Sequence, residues 1–201
     1  MIKLGVLISG SGTNLQAILD AIDAGKLNAE VILVLSSKAD AYGLKRAHEA
    51  GIPTIGLTQE TYADPLSADA LIVEEMKKAG ADYLVMAGYM RKLTGVALEA
   101  FKDRVINIHP ALLPSFVGAH GIADAFKAGV KVTGVTVHFA NEQYDRGPII
   151  AQQALEVYEG ESLQSLEERI HAIEHVLYPK VLQLIADGRV SITADCKVSV
   201  I

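Results

Sequence analysis

A single cysteine, Cys196, and no tryptophan occur among the 201 residues. One thiol forms neither a disulfide framework nor a four-cysteine zinc site. Its place in the last apolar segment favours a structural thiol over a nucleophile. An excess of basic residues is also missing: the net charge is −6, so there is no polybasic footprint and nucleic acid is not expected as a partner. Long hydrophobic runs are absent too, since stretches such as VILVL at 31–35 fall far short of a membrane span. The opening MIKLGVLISG runs straight into a strand pattern without a small-residue cleavage site. A cytoplasmic protein without a membrane partner is expected. Small anionic ligands stay allowed, because local backbone dipoles bind them whatever the net charge.

Half of the residues are apolar and 21% are charged, the balance of a compact soluble fold. Short apolar runs at 3–8, 30–36, 53–57, 82–88 and 104–109 read as strands. Helical patterns lie between them at about 14–24, 41–50 and 66–79, with Gly51 and Gly80 closing two of them. Strands apolar on both faces and separated by helices predict a doubly wound, mostly parallel sheet. The second half changes character. Strands at 131–140 and 148–158 are joined by the polar loop NEQYDRG, then comes a long helix capped by Ser162 and closed by Gly188. The expected fold is therefore α/β, with an antiparallel C-terminal part, a long C-terminal helix and a last extended segment. A single domain over 1–201 is expected, from length and the lack of a linker.

Ligands of open α/β sheets bind beyond the carboxyl ends of the strands, and three segments fall there. In SGSGTNLQAI, Gly10 and Gly12 permit close backbone approach and the following helix start offers free N–H groups. A dinucleotide fingerprint would need glycine where Leu15 stands and an acid near Ser36 and Ser37. A single phosphate fits better; the competing reading is a tight turn that Thr13 or Asn14 merely caps. In VINIHPALLP, strand alternation puts Asn107 and His109 on one face, and Pro110 stops the strand. Such a pair serves either as internal hydrogen bonding or as two donors for a developing oxyanion. In YDRGP, Asp145 is either an exposed loop carboxylate or one that folds back onto His109 and favours the charged imidazolium.

The helix segment HAIEH at 171–175 matches a zinc-peptidase pattern. A helical projection with Leu163, Ile170, Ile173, Leu177, Val181 and Leu184 as the apolar stripe leaves His171 and His175 outside it. Glu174 falls near its edge. No metal is expected, and Glu174 is left as a carboxylate that needs a partner, in a salt bridge or on a substrate amine.

Seven stretches spread over nearly the whole chain, ISGSGTNLQAI, SSKADAYGLKRA, LVMAGYMRKL, INIHPALLPSF, GVTVHF, YDRGPIIAQ and IEHVLYP, resemble the phosphoribosylglycinamide formyltransferase family. The resemblance implies transfer of a formyl group from 10-formyltetrahydrofolate to the amine of 5-phosphoribosylglycinamide, in purine synthesis. It implies that Gly12, Thr13 and Asn14 hold the ribose phosphate and that Glu174 meets the glycinamide end. Met90, Arg91, Lys92 and Leu93 would line the folate site, with Asn107, Asn141 and Asp145. Asn107, His109 and Asp145 would be the catalytic trio. The implied organisation is one formyltransferase domain, with about 1–100 binding nucleotide and about 101–201 carrying catalysis and folate binding. Its partners would be small molecules, and its state a monomer or homodimer.

The sequence departs from the family in two places. The usual Arg before the third helix is missing from ADPLSADA at 63–70, which leaves Lys92 for the donor's tail. Val117 stands where relatives often have Pro or Lys. Methionyl-tRNA formyltransferase would share the formyl-folate core but needs a further domain and a basic surface. A non-enzymatic phosphate-binding module would explain the glycine turn and leave Asn107, His109 and Asp145 without a role.

Overall fold

The computed structural model describes residues 1–201. In chain order its elements are β1 (Ile2–Ile8), α1 (Thr13–Asp23), β2 (Ala29–Ser36), α2 (Tyr42–Glu49), β3 (Thr54–Gly56), α3 (Pro65–Ala79), β4 (Tyr83–Met86) and α4 (Gly95–Ala100). They continue as β5 (Val105–His109), α5 (Gly121–Lys127), β6 (Val132–Phe139), β7 (Ile149–Glu156), α6 (Leu163–Ala186), β8 (Val190–Ile192) and β9 (Val198–Val200). Two compact units divide the chain, Met1–Ile106 and Asn107–Ile201.

In the first unit β1 pairs in parallel with β2 and with β4, and β2 pairs in parallel with β3. The strand order is β3-β2-β1-β4, followed by the start of β5. The chain thus steps outward from β1 to β3, then returns to the other side of β1. That reversal makes the carboxyl ends of β1 and β4 the topological switch point. Leu4, Val6, Leu7 and Ile8 of β1 are fully buried, as are Leu35, Leu84, Ile18 and Ile72. Apolar residues at successive strand positions are buried on both faces, as in a covered parallel sheet. Asp64 caps α3, accepting from Leu66 N at 3.1 Å with Pro65 in the first turn.

In the second unit β5 ends at His109 and neighbours β6, which pairs antiparallel with β7. Val135, Val137, Leu166, Ile170 and Tyr178 are at most 1% exposed and form its core with α6. Ser162 caps α6, accepting from Ser165 N at 3.1 Å, and Gly188 N bonds the Ile185 carbonyl past its end.

The α/β class, the parallel first half, the antiparallel pair and the long C-terminal helix agree with the sequence pattern. Three features differ from it. The short helices α4 and α5 have six and seven residues, too few turns to show a 3.6-residue period. The last extended segment is a β8–β9 hairpin, with Cys196 exposed in its turn at φ 58°. The buried face of α6 overlaps the expected stripe only in part. Ile170, Leu177 and Val181 are buried as expected, joined by Leu166, Glu174, Tyr178, Leu182 and Ile185, while Leu163, Ile173 and Leu184 are half-buried. Leucine and isoleucine surround this helix, so the period alone did not select the face. Glu174 therefore lies within the buried row, not at its edge.

Candidate active site

The turn after β1 is built by α2. Gly43 N donates to the Gly10 carbonyl at 3.0 Å, Arg46 Nε donates to the Ser11 carbonyl at 2.9 Å, and Arg46 Nη1 donates to Gln16 Oε1 at 3.2 Å. Gly12 has φ 71°, and a Cβ there would lie 2.6 Å from Gly43 Cα. Both the dihedral and the space require glycine. No side chain caps α1: Gly12 is its first half-helical residue, and neither Thr13 nor Asn14 caps it. The first intrahelical bond is Gln16 N to the Gly12 carbonyl at 2.9 Å. The preceding N–H groups make no intrahelical bond and point to the helix's positive end, where an anion is favoured.

The turn after β4 is tied to this one. Ser9 Oγ accepts from Met90 N at 2.8 Å and shares a hydrogen with Ser37 Oγ at 2.6 Å. The two segments therefore leave the switch point fastened to each other. Met90, Arg91 and Lys92 are exposed, whereas Leu93 and Tyr89 are buried. Burial pushes the Tyr89 hydroxyl well above the ordinary tyrosine range and raises that of Tyr62, and the two share a short hydrogen bond. Tyr62 belongs to a single 3-10 turn just before α3, and the Arg91 guanidinium lies 4.4 Å from its ring centroid. The stretch that lacks the usual arginine thus has one lying against its neighbour.

In the second unit Asn107, His109 and Asp145 come together. His109 Nδ1 lies 3.4 Å from Asp145 Oδ2, and Asn107 Nδ2 lies 3.4 Å from Asp145 Oδ1. His109 is 3% exposed and Asp145 6%, so the loop carboxylate is folded inward. Strand geometry supplies the first two: Ile106 and Ile108 alternate with them along β5 and are buried. The loop geometry supplies the third. Asp145 has φ 51°, a conformation uncommon outside glycine. Gly147 follows with no room for a side chain, since a Cβ would meet the Phe139 carbonyl oxygen at 1.7 Å. Asn141 starts this loop, exposed, its Oδ1 accepting from Gln143 N at 3.0 Å. It does not join Asn107, His109 and Asp145.

Two further contributors were not marked by the sequence reading. His138, on β6, is 1% exposed. Its Nδ1 contacts the Phe139 carbonyl at 2.9 Å and its Nε2 contacts Asn107 Nδ2 at 3.1 Å. Burial lowers its pKa, partly countered by the Phe139 carbonyl and by Asp145. The imidazole therefore stays neutral near pH 7. Its Nε2 is also 3.7 Å from Asp145 Oδ1, too long for a hydrogen bond. A histidine directly after Val137, on the same strand face as Thr136, was the available signal. The other contributor is the backbone at 116–118. Gly118 N donates to Asp145 Oδ2 at 2.9 Å, and the Phe116 carbonyl accepts from His109 Nε2 at 2.8 Å. Phe116 has φ 53°, and the Leu113–Pro114 peptide is cis. Because this loop acts through main-chain atoms, the side chain of Val117 between them is free to vary.

Glu174 is 4% exposed, and its Oε2 accepts from His171 Nδ1 at 2.8 Å, one turn back on α6. That bond raises the His171 pKa against its partial burial. The HAIEH histidine thus turns to a carboxylate of its own helix. The structure gathers no group of three or more His, Cys, Asp or Glu side chains placed to hold a metal ion. No helix is long and apolar enough to cross a membrane.

Comparison with known proteins points the same way as these residues. The trifunctional purine biosynthetic protein adenosine-3 of Chironomus tentans is 40% identical over 197 residues, 97% of this chain but only 14% of that protein's length. Phosphoribosylglycinamide formyltransferase of Haemophilus influenzae is 39% identical over 189 residues, covering 94% of this chain and 89% of its own. The crystal structure of glycinamide ribonucleotide transformylase 1 from Symbiobacterium toebii superposes with a TM-score of 0.96 at 45% identity, over 100% of this chain and 94% of that one. The formyl transferase family model matches residues 2–182, and the chain belongs to that family.

Proposed function

We propose that the chain transfers a formyl group from 10-formyltetrahydrofolate to the amine of 5-phosphoribosylglycinamide, releasing formylglycinamide ribonucleotide and tetrahydrofolate. The observation that carries this reading is the meeting of half-buried Asn107 with buried His109 and Asp145. None of the three is a nucleophile with an adjacent activating base, so a covalent enzyme intermediate is not expected. They are two donors and a carboxylate, the equipment for direct acyl transfer between two nitrogens.

The donor supplies an activated carbonyl carbon on its N10. The substrate amine attacks that carbon, a C–N bond forms, and the carbonyl oxygen becomes anionic. Asn107 Nδ2–H would face that oxygen and stabilise its charge, joined by His109 Nε2–H once it exchanges the Phe116 carbonyl, 2.8 Å away here, for the developing oxyanion. Asp145, 3.4 Å from His109 Nδ1, orients the ring and offsets the charge it carries. The proton shed by the amine passes through this cluster to the departing N10 as the second C–N bond breaks. Atoms and charge balance without redox chemistry.

Binding roles follow the same division. The uncapped start of α1, with Gly12, Thr13 and Asn14, suits the ribose phosphate. Glu174, buried against His171, suits the glycinamide amine. Met90 to Leu93 and the loop from Asn141 to Asp145 suit the folate: buried Leu93 offers an apolar contact to a flat ring, and Arg91 or Lys92 offers a cation to an acidic tail. We further propose that residues 1–201 serve as one formyltransferase domain, in a cytoplasmic protein acting on small molecules. The test is formyl transfer from 10-formyltetrahydrofolate to 5-phosphoribosylglycinamide, followed by absorbance with a chelator present. Turnover without added metal is expected. Activity lost on chelation and restored by zinc would point back to HAIEH and against this reading.

A further inference from the structure

His138 is buried, polar and unused by the mechanism above, yet it contacts Asn107 more closely than Asp145 does. The Phe139 carbonyl at 2.9 Å only accepts, so His138 Nδ1 carries the hydrogen. Burial keeps the ring neutral, which leaves Nε2 with a lone pair aimed at Asn107 Nδ2, 3.1 Å away. One amide hydrogen of Asn107 is thereby fixed. The other points to Asp145 Oδ1 at 3.4 Å, a long bond that is readily exchanged. A flipped amide would set Asn107 Oδ1 against the Nε2 lone pair and against the carboxylate, two repulsive contacts in a dry site.

We propose that His138 is a positioning residue: it holds the Asn107 carboxamide by one N–H, so that the second N–H moves from Asp145 to the formyl oxygen as that oxygen becomes anionic. This rests on the formyl-transfer reading given above. His138 touches neither substrate and acts only through Asn107. The orientation of a two-donor amide is thereby settled before substrate arrives, which is where donor preorganisation has its value. It also gives a role to a histidine buried on the β6 face that carries Gly134 and Thr136.

A double-mutant cycle tests it. His138→Leu should lower kcat by roughly tenfold or more with KM for both substrates little changed, a smaller loss than the roughly 10²–10³-fold of Asn107→Ala. In the Asn107→Ala background the same His138→Leu change should alter kcat by less than about threefold, because the two act as one unit. Equal losses in both backgrounds, or wild-type kcat in His138→Leu, would overturn the proposal. If His138→Leu does not fold, His138→Gln and His138→Asn carry the contrast. Glutamine reaches Asn107 with an accepting oxygen and should keep most of kcat; asparagine is one methylene too short and should not. Equal activity of the two overturns it. The geometry has a readout separate from catalysis: ring ¹⁵N shifts of the wild-type protein should show His138 as the neutral Nδ1–H tautomer. An Nε2–H tautomer overturns the proposal even if formyl transfer proceeds. Absence of formyl transfer with the Nδ1–H tautomer present would instead count against the proposed reaction.

Discussion

The turns of the first unit and the cluster of the second are built from different material. Around Ser9 to Asn14 and Met90 to Leu93 the parts are main-chain atoms, a glycine at φ 71° and the bond from Met90 N to Ser9 Oγ at 2.8 Å. Around Asn107, itself half-buried, the parts are side chains, among them three buried ionisable ones, His109, His138 and Asp145. A site made of backbone is specified by shape, so a substitution there acts through conformation and affects binding and folding together. A site made of side chains is specified by chemistry, so one atom can be exchanged while the shape survives.

The contrast is sharpest in turnover. Asn107→Ala should lower kcat by roughly 10²–10³-fold while leaving KM for the nucleotide near wild type, as steady-state kinetics would show. Gly12→Ala should do the reverse. Its Cβ meets Gly43 Cα at 2.6 Å in a left-handed conformation, with a cost on the order of 1–3 kcal/mol. Melting and kinetics should show lower stability and a raised nucleotide KM at nearly unchanged kcat; a large fall in kcat alone would blur the division. Ser9→Ala should weaken use of the folate donor several-fold. It removes the acceptor of Met90 N, a bond worth on the order of 0.5–1.5 kcal/mol, read as donor KM against nucleotide KM.

The smallest effect separates two histidines of the second unit by sign. His138 has a lowered pKa from burial. As pH falls below about 6.5 the unfolded chain takes up its proton first, and stability drops. His171 has a pKa raised by Glu174, so its contribution is present below about 6.5 and disappears as pH rises through the raised value. Melting temperatures from pH 5 to 8.5 should therefore diverge. His138→Gln should lose less stability than wild type on acidification, and His171→Gln should fall short of wild type mainly on the acid side.

Much of this was legible from residue order. Strand alternation put Asn107 beside His109, and the strand–turn–helix pattern located the turn at Gly12. Asp145 reached His109 as the inward-folding reading required. Three things were not legible. That His138 reaches Asn107 depends on β6 neighbouring β5, a non-local pairing that one strand's pattern does not encode. The Phe116 and Gly118 contacts are main-chain and carry no side-chain signature. The face of α6 was legible only at Ile170, Leu177 and Val181, because apolar residues lie on several sides and the burial of Glu174 goes with its bond from His171.

Asp145→Asn tests the central claim most directly, since it keeps the side chain's shape and removes only its charge. The measurement is kcat for formyl transfer, with the dissociation constant of 5-phosphoribosylglycinamide taken by calorimetry on the same preparation. A fall in kcat of roughly 10²–10⁴-fold, with nucleotide affinity unchanged, is the predicted result. Wild-type kcat, or equal loss of turnover and nucleotide affinity, would contradict the assignment of chemistry to the side-chain cluster and binding to the backbone turn.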